Sequence, residues 1–194
     1  MANVNSAFGL KPVRHQTGGN IQSNMYPIAS AYSTAIYTGD PVIMAADGTI
    51  TIAIGSAGSH STNTLGVFGG VTFKDASGIT WWRPYWPANQ IATEIKAIVY
   101  DDPYIIFAIQ SDATGAADVD VGQLADYTIA AGNALTGKSA TVLGMAATHA
   151  TTAHQLRILR LVNDGVNASG AYSVVEVLFA EHAMKGVVSG VGGV

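Results

Sequence analysis

The chain has 194 residues, of which 48% are hydrophobic and only 11% are charged, and its formal net charge is −4. Soluble domains usually carry about 25% charged residues, so we expect copies of the chain or a partner to cover part of its surface. The scattered Lys and Arg residues disfavour nucleic-acid binding, and the lack of cysteine excludes disulfides, cysteine nucleophiles and thiolate metal sites.

The sequence gives no sign of a membrane partner. Its apolar runs are far shorter than the roughly 18 residues that span a bilayer. The first residues, MANVNS, have neither the charged start nor the apolar stretch of a signal peptide. We therefore expect the protein to bind no membrane.

Residues 1–38 show no sustained period of two or 3.6. Small polar residues dominate this segment, with isolated apolar positions that include Phe8, Leu10 and Tyr26. One interpretation is an extended N-terminal arm that folds onto a partner through these side chains and is mobile without it. The alternative is the strand-bearing start of a β-rich body. The sequence leaves both open.

Residues 39–54 contain the clearest local signal in the chain. Asp47-Gly48 favours a tight hairpin turn, because glycine tolerates a positive φ at no steric cost and aspartate at little cost. Residues suited to a pleated, half-buried surface, such as Val42 and Ile52, lie on both sides of the turn. The pattern predicts strand, turn and strand.

Further short strands follow at intervals near ten residues, between glycine-containing turns. They are predicted over residues 65–73, 94–100, 104–110, 127–129, 140–143, 156–162 and 172–179. The last two should form a closing hairpin with Arg157 and Glu176 facing outwards. No segment shows ten residues of helical period, so the sequence predicts a mainly β barrel or sandwich with few or short helices. We place this β-rich body at 39–182 and a Gly-rich C-terminal tail at 183–194.

All three tryptophans fall within six residues, as Trp81, Trp82 and Trp86. Rigid aromatic side chains dominate interface hot spots, so one interpretation is an exposed platform that binds a protein, a sister subunit or a sugar. The alternative is a plug in the core or at an oligomer axis, with Pro84 and Pro87 shaping the loop. We favour a buried contact, within or between subunits.

The histidines do not form a metal-binding pattern. His149 and His154 are five residues apart with no carboxylate between them, which does not match helical metal spacing. We expect both to be solvated loop residues. His182, next to Glu181, is expected to form a surface pair.

The acidic and hydroxyl side chains do not form a catalytic set either. Asp118 and Asp120 would share one face of a strand, but calcium needs six or more oxygen ligands and few other carboxylates lie near them in sequence. No serine lies in a Gly-x-Ser-x-Gly motif with a plausible partner. We therefore predict a protein that is not an enzyme and binds no cofactor and no metal.

Several phrases, in order along most of the chain, carry a family resemblance. They are NSAFGLKPVR (5–14), GDPV (39–42) followed by DG (47–48), LGVFGG (65–70), DDP (101–103), LRIL (156–159) and VLFAEH (177–182). With these, the chain resembles the head decoration, or capsid cement, proteins encoded beside the major capsid protein of tailed bacteriophages. The resemblance implies a β-barrel or β-tulip body, usually a homotrimer, at three-fold or quasi-three-fold capsid positions, with no cofactor and no reaction.

Our leading hypothesis is thus a structural protein on the outer surface of a phage head, made in the host cytoplasm. It would bind the major capsid protein as a homotrimer, stabilise its lattice, and bind neither nucleic acid nor membrane. The predicted partner-binding residues are Phe8, Leu10, Tyr26, Trp81, Trp82 and Trp86. The alternative is a carbohydrate-binding β-module on a virion surface, with the tryptophans stacked on sugar rings.

Overall fold

A computed structural model describes residues 3–56, 59–60, 63–149, 154–162 and 165–185. The strands in chain order are β1 (Lys11–His15), β2 (Asn24–Tyr26), β3 (Ile36–Tyr37), β4 (Pro41–Met44), β5 (Ile50–Ile52), β6 (Gly55–Ser56), β7 (Ser59–His60), β8 (Thr64–Lys74), β9 (Thr80–Arg83), β10 (Tyr85–Trp86), β11 (Thr93–Tyr100), β12 (Ile105–Gln110), β13 (Leu124–Thr128), β14 (Val142–His149), β15 (Leu156–Leu161) and β16 (Val174–Phe179). A 3₁₀ turn at Asp118–Asp120 is the one helical element in these ranges. The predicted mainly β class is confirmed.

The strands form two six-stranded sheets and two short ladders. The first sheet has the order β1-β12-β16-β15-β13-β14, and the second has the order β2-β11-β8-β4-β5 with β9 beside β8. β3 pairs with β10, and β6 pairs with β7. These pairings leave both sheets open and do not close a barrel. A parallel bridge between Ser111 and Leu143 links the segment after β12 to β14.

The apolar side chains form two cores on opposite faces of the second sheet. In the first core, alternate residues of β12 and β16, such as Phe107 and Val177, pack with Val67 of β8. In the second core, Phe68 and Phe73 of β8 pack against the segments that enclose the other face of that sheet. β8 is buried along most of its length because it contributes to both cores.

Both predicted hairpins are confirmed. β4 and β5 pair antiparallel with Val42 opposite Ile52, and Gly48 in the turn has a φ of +80°. The Asp47 carboxylate accepts a hydrogen bond from the Thr49 N–H. β15 and β16 also pair antiparallel and form the closing hairpin.

Glu176 of β16 was expected to face outwards into solvent, but it is buried. Arg14 of β1 and Arg160 of β15 each donate to its carboxylate at 2.7 Å and cover it. The hydrogen bond from Arg160, and then that from Arg14, lower the pKa of Glu176 against the opposing effect of burial. Arg157 is exposed, as predicted. Glu176 is therefore a buried carboxylate that two arginines neutralise.

The described part of residues 1–38 contains strands, as the second interpretation of this segment expected. β1 pairs with β12 in the first sheet, and β2 pairs with β11 in the second. Leu10 is buried in the first core, and the Asn3 side chain donates to the Ala168 carbonyl. The division into arm, body and tail stays a prediction, and residues 186–194 of the tail lie outside the described residues.

A buried carboxylate, Asp40, connects the two sheets. It precedes β4 and accepts a hydrogen bond from the Tyr37 N–H. It also accepts hydrogen bonds from the hydroxyls of Ser139 and Thr141, in the segment that leads into β14 of the first sheet. Burial raises the pKa of Asp40, and these three hydrogen bonds oppose that shift.

Gly66 of β8 provides a test of this packing. A Cβ on Gly66 would lie 2.2 Å from the Tyr100 carbonyl oxygen, which belongs to the backbone and cannot turn aside. Gly66→Ala should therefore lower the free energy of unfolding by about 2 kcal/mol, measured by denaturant titration. The control is Gly19→Ala, whose Cβ would meet only the His15 ring at 3.4 Å. It should change stability by less than about 0.5 kcal/mol. If Gly66→Ala were as stable as the wild type, the close approach of β8 and β11 at Gly66 would be contradicted.

Candidate partner-binding site

β9 carries two of the tryptophans on the edge of the second sheet. A tight turn after β8 returns the chain, with the Asp75 N–H bonded to the Ile79 carbonyl and the Asp75 carboxylate accepting from the Ile79 N–H. β9 then pairs with β8, and no other described strand pairs with it. Trp81 and Trp82 remain 42% and 61% exposed.

Trp82 belongs to an exposed apolar area on one face of this sheet. Residues that pair directly across two strands share a face of the sheet. Trp82 pairs with Thr72, Gly70 pairs with Ile98, and Ile98 also pairs with Met25. The Trp82 ring lies over Gly70, 3.4 Å from where a Cβ would stand. Met25 is 67% exposed. We call Trp82, Gly70, Ile98 and Met25 the outer apolar face.

Trp81 lies on the opposite face of the same strand. Its Nε1–H donates to the Asp75 carboxylate at 2.8 Å, and this hydrogen bond lowers the pKa of Asp75. The Arg83 guanidinium lies 5.5 Å from the centre of the Trp81 ring and 6.0 Å from that of Phe73. Because successive strand residues alternate in direction, Trp81 and Trp82 do not form one continuous aromatic platform.

Trp86 is separated from the other two tryptophans and is fully buried in the second core. Pro84 lies between β9 and β10, and Trp86 pairs with Ile36 of β3. Its ring meets Phe73 edge to face with centroids 5.4 Å apart. Within the described residues, its indole N–H has no hydrogen-bond partner. Trp86 therefore packs in the protein's own interior. Of the three tryptophans, it is the one that fits the buried alternative.

The predicted residues of the N-terminal segment are not gathered at the outer apolar face. Leu10 is buried, and Phe8 is half-buried at a cleft. Tyr26 is on the second sheet, but it neighbours Met25 in sequence and so faces the other way. Its hydroxyl donates to the Asp101 carboxylate, and burial together with that hydrogen bond raises the pKa of Tyr26 to about 12. A partner-binding role for these residues stays a prediction.

The cleft beside Phe8 has a volume of about 480 Å³. Its lining is largely apolar and includes Leu10 and Tyr100, while Lys11 and Lys138 supply positive charge. The sequence reasoning missed both lysines as site residues, since they are 127 positions apart (138 − 11) and no local pattern sets them side by side. It also missed Met25, a lone apolar residue in a segment without periodicity.

Two histidines that were expected at the surface are buried. The Nδ1 atom of His154 lies 3.0 Å from an Asp126 carboxylate oxygen in the interior. His182 packs against the Phe179 ring, with centroids 5.6 Å apart, and its Nδ1 accepts from the Met184 N–H. Both expectations were wrong because tertiary packing, which local sequence does not encode, covers these residues. The His149 side chain lies outside the described part.

A hydrogen-bonded chain joins a carboxylate, an imidazole and a hydroxyl at the end of β1. His15 Nε2 lies 3.1 Å from the Asp102 carboxylate, and the Thr17 hydroxyl lies 2.9 Å from His15 Nδ1. The Thr17 N–H also points at Nδ1, so this nitrogen is the acceptor and Nε2 carries the proton. Since the Gly18 N–H bonds to the His15 carbonyl, the contacts together stabilise a tight turn.

Across the described ranges, no three His, Cys, Asp or Glu side chains are grouped so that they could hold a metal ion. In the same ranges, no helix has the length and apolar character needed to cross a membrane. No protein-family model matches the chain, and neither a curated protein nor a solved structure matches it. What the fold and the site define is a two-sheet β protein with an exposed apolar face.

The two environments of tryptophan give a matched prediction. Trp86→Ala should lower the free energy of unfolding by about 4 kcal/mol, because it empties a large volume in the second core. Trp82→Ala should change it by less than about 1 kcal/mol, because most of that ring already faces water. Urea titrations of both variants measure the difference. A large loss for Trp82→Ala would show that the ring is part of the core.

Burial of His182 predicts a stability that depends on pH. Burial, and then the nearby Lys185, lower the pKa of His182 from 6.5 to about 4, against Asp101 and Asp102. The unfolded chain therefore binds more protons between these values, and stability should fall by up to about 3 kcal/mol as pH drops from 6.5 to 4. His182→Gln should flatten this slope in urea titrations at several pH values. If stability depends on pH as steeply in His182→Gln as in the wild type, groups other than His182 cause the dependence.

Proposed function

We propose that this protein is a structural decoration protein that binds the outside of a phage head. As a trimer at three-fold or quasi-three-fold positions, it would stabilise the lattice of the major capsid protein. The observation that carries the proposal is the outer apolar face, an area of a sheet that the described segments leave exposed in a chain with only 11% charged residues. The sequence resemblance supplies the class of partner.

The outer apolar face has the character of a contact surface. Trp82 is an aromatic side chain in a fixed position over Gly70, with much of its ring open to solvent. Met25 adds a flexible apolar side chain, which adapts to irregular partner surfaces. Burial of such a cluster provides the central anchor that a protein interface needs, while Lys96 and Thr72 provide polar neighbours at its margin.

A trimer explains how contacts of ordinary size could hold a capsid lattice together. A standard protein interface buries about 1,600 Å² in total. When three such contacts are linked, the second and third form within an already bound complex, so the combined affinity far exceeds that of one contact. The linked contacts must break before neighbouring capsid subunits separate, which opposes the outward pressure of packed DNA.

A carbohydrate-binding role is the second candidate, and the exposure of Trp82 is the observation that favours it. The open face of an indole ring can stack on a sugar. Trp81 lies on the other side of the strand, however, so only one tryptophan would stack on a given sugar. We therefore rank lattice binding above sugar binding.

Head binding tests the proposal with variants that leave the cores intact. Phage heads would be assembled without this protein, mixed with each variant, and sedimented. The amount of protein that sediments with the heads measures binding. Trp82→Ala should weaken co-sedimentation at least about tenfold, as loss of a hot-spot side chain does. Met25→Ser should also weaken it, whereas Ile91→Ser, with the same 67% exposure but outside the outer apolar face, should not.

Two results would contradict the proposal. One is wild-type protein that does not bind the heads. The other is an oligosaccharide that quenches tryptophan fluorescence in the wild type and not in Trp82→Ala, combined with no affinity for heads. That second result would support the carbohydrate-binding alternative.

A further inference from the structure

The cleft beside Phe8 combines apolar walls with two lysine side chains that pair with no described residue. Leu10, Phe68 and Tyr100 supply apolar walls, and Lys11 and Lys138 line the same space. Both lysines are exposed, and within the described residues neither ammonium group takes part in a hydrogen bond or an ion pair. In a chain with nine Lys and Arg residues and a net charge of −4, two cations thus lie at one apolar cleft without a partner among the described residues.

A protruding turn of the same chain has the complementary character. Val119, at the centre of the 3₁₀ turn, is 81% exposed, and Val121 is exposed after it. Asp118 beside Val119 is exposed too, and its carboxylate takes no hydrogen bond from the described residues. Asp120 is half-buried and accepts from the Ala117 N–H, which fixes the shape of the turn. The turn thus presents apolar side chains flanked by negative charge.

We propose that the turn at residues 118–121 of one copy occupies the Lys11–Lys138 cleft of the next copy. Val119 would enter the apolar part of the cleft, and Asp118 would approach Lys138 or Lys11. We choose a second copy as the occupant because the charges are complementary. The turn carries apolar and acidic side chains, which match the apolar walls and the lysines of the cleft. This inference rests on the proposed trimer and names the contact between its subunits.

The arrangement has a consequence for symmetry. The cleft is lined by residues 6–8, 10–12, 38, 68, 100 and 138, and it shares no residue with the turn. A contact between two different patches is heterologous, and such contacts form a ring when the rotation between copies closes. A trimer closes after three identical contacts, which leaves no turn and no cleft unoccupied.

Sedimentation of the purified full chain tests this contact. The wild type should sediment near three times 20.0 kDa. Reversal of one partner's charge, in Lys138→Glu or in Asp118→Lys, should raise the dissociation constant of the trimer at least about tenfold, because like charges then face each other. The variant that combines both reversals should recover much of the lost affinity, which a fold defect could not do.

Control variants separate this contact from general effects of charge and polarity. Arg157→Glu also reverses the charge of an exposed cationic side chain, but outside the cleft, and should leave the trimer intact. Val119→Ser should weaken the trimer, whereas Ile91→Ser should not. Urea titrations of each variant confirm that the monomer fold is unchanged.

Two outcomes would overturn the inference, and they differ in what they say about the proposed function. A wild-type trimer that survives both Lys138→Glu and Asp118→Lys would place the subunit contact elsewhere and leave the decoration proposal standing. A monomeric wild type would remove both this contact and the trimer, and co-sedimentation with heads would then decide separately whether the protein binds a capsid.

Discussion

The buried carboxylate of Asp40 is the constraint on which the relation of the two sheets depends. A charge in the interior loses its hydration, and only hydrogen-bond donors placed around it offset that loss. One backbone N–H and the hydroxyls of Ser139 and Thr141 meet this need. Because the hydroxyls come from the segment that leads into β14 and Asp40 leads into β4, the requirement fixes one sheet against the other. The core between the sheets follows from that placement.

The second sheet extends beyond the cover that the first provides. Near the start of β8, Thr64 bonds to the Tyr127 hydroxyl of the first sheet, and Val67 lies in the shared core. Further along β8, no described strand of the first sheet covers the face that carries Gly70 and Thr72, and this is where Trp82 and Met25 are exposed. The outer apolar face therefore arises because one sheet is longer than the surface available to bury it.

Local turn chemistry made much of the fold predictable. The β4–β5 and β15–β16 hairpins join neighbouring segments, so the sequence near Asp47-Gly48 contains all that defines the first of them. The pairing of β1 with β12, by contrast, joins residues nearly a hundred positions apart and leaves no local pattern. The same distinction explains His154, whose carboxylate neighbour Asp126 lies 28 positions away (154 − 126).

The candidate site was predictable only in part. A run with three tryptophans signals an aromatic contact, but strand alternation and Pro84 decide that Trp82 faces water while Trp86 enters the core. Met25 and Lys138 gave no signal at all, because their significance comes from the strands and segments that the fold sets beside them. Residue types in a sequence can therefore indicate that a contact surface exists, but the fold decides which residues belong to it.

The bond from the Asn3 side chain to the Ala168 carbonyl has a consequence for synthesis in the cell. The two residues are 165 positions apart, and β1 likewise waits for β12. A nascent chain emerges from the ribosome N-terminus first, so Asn3 and β1 must remain without these native partners until β12 and Ala168 have been translated. The residues from Asn3 to the end of β1 are thus among the last to reach their native contacts, although they are made before the residues that bind them.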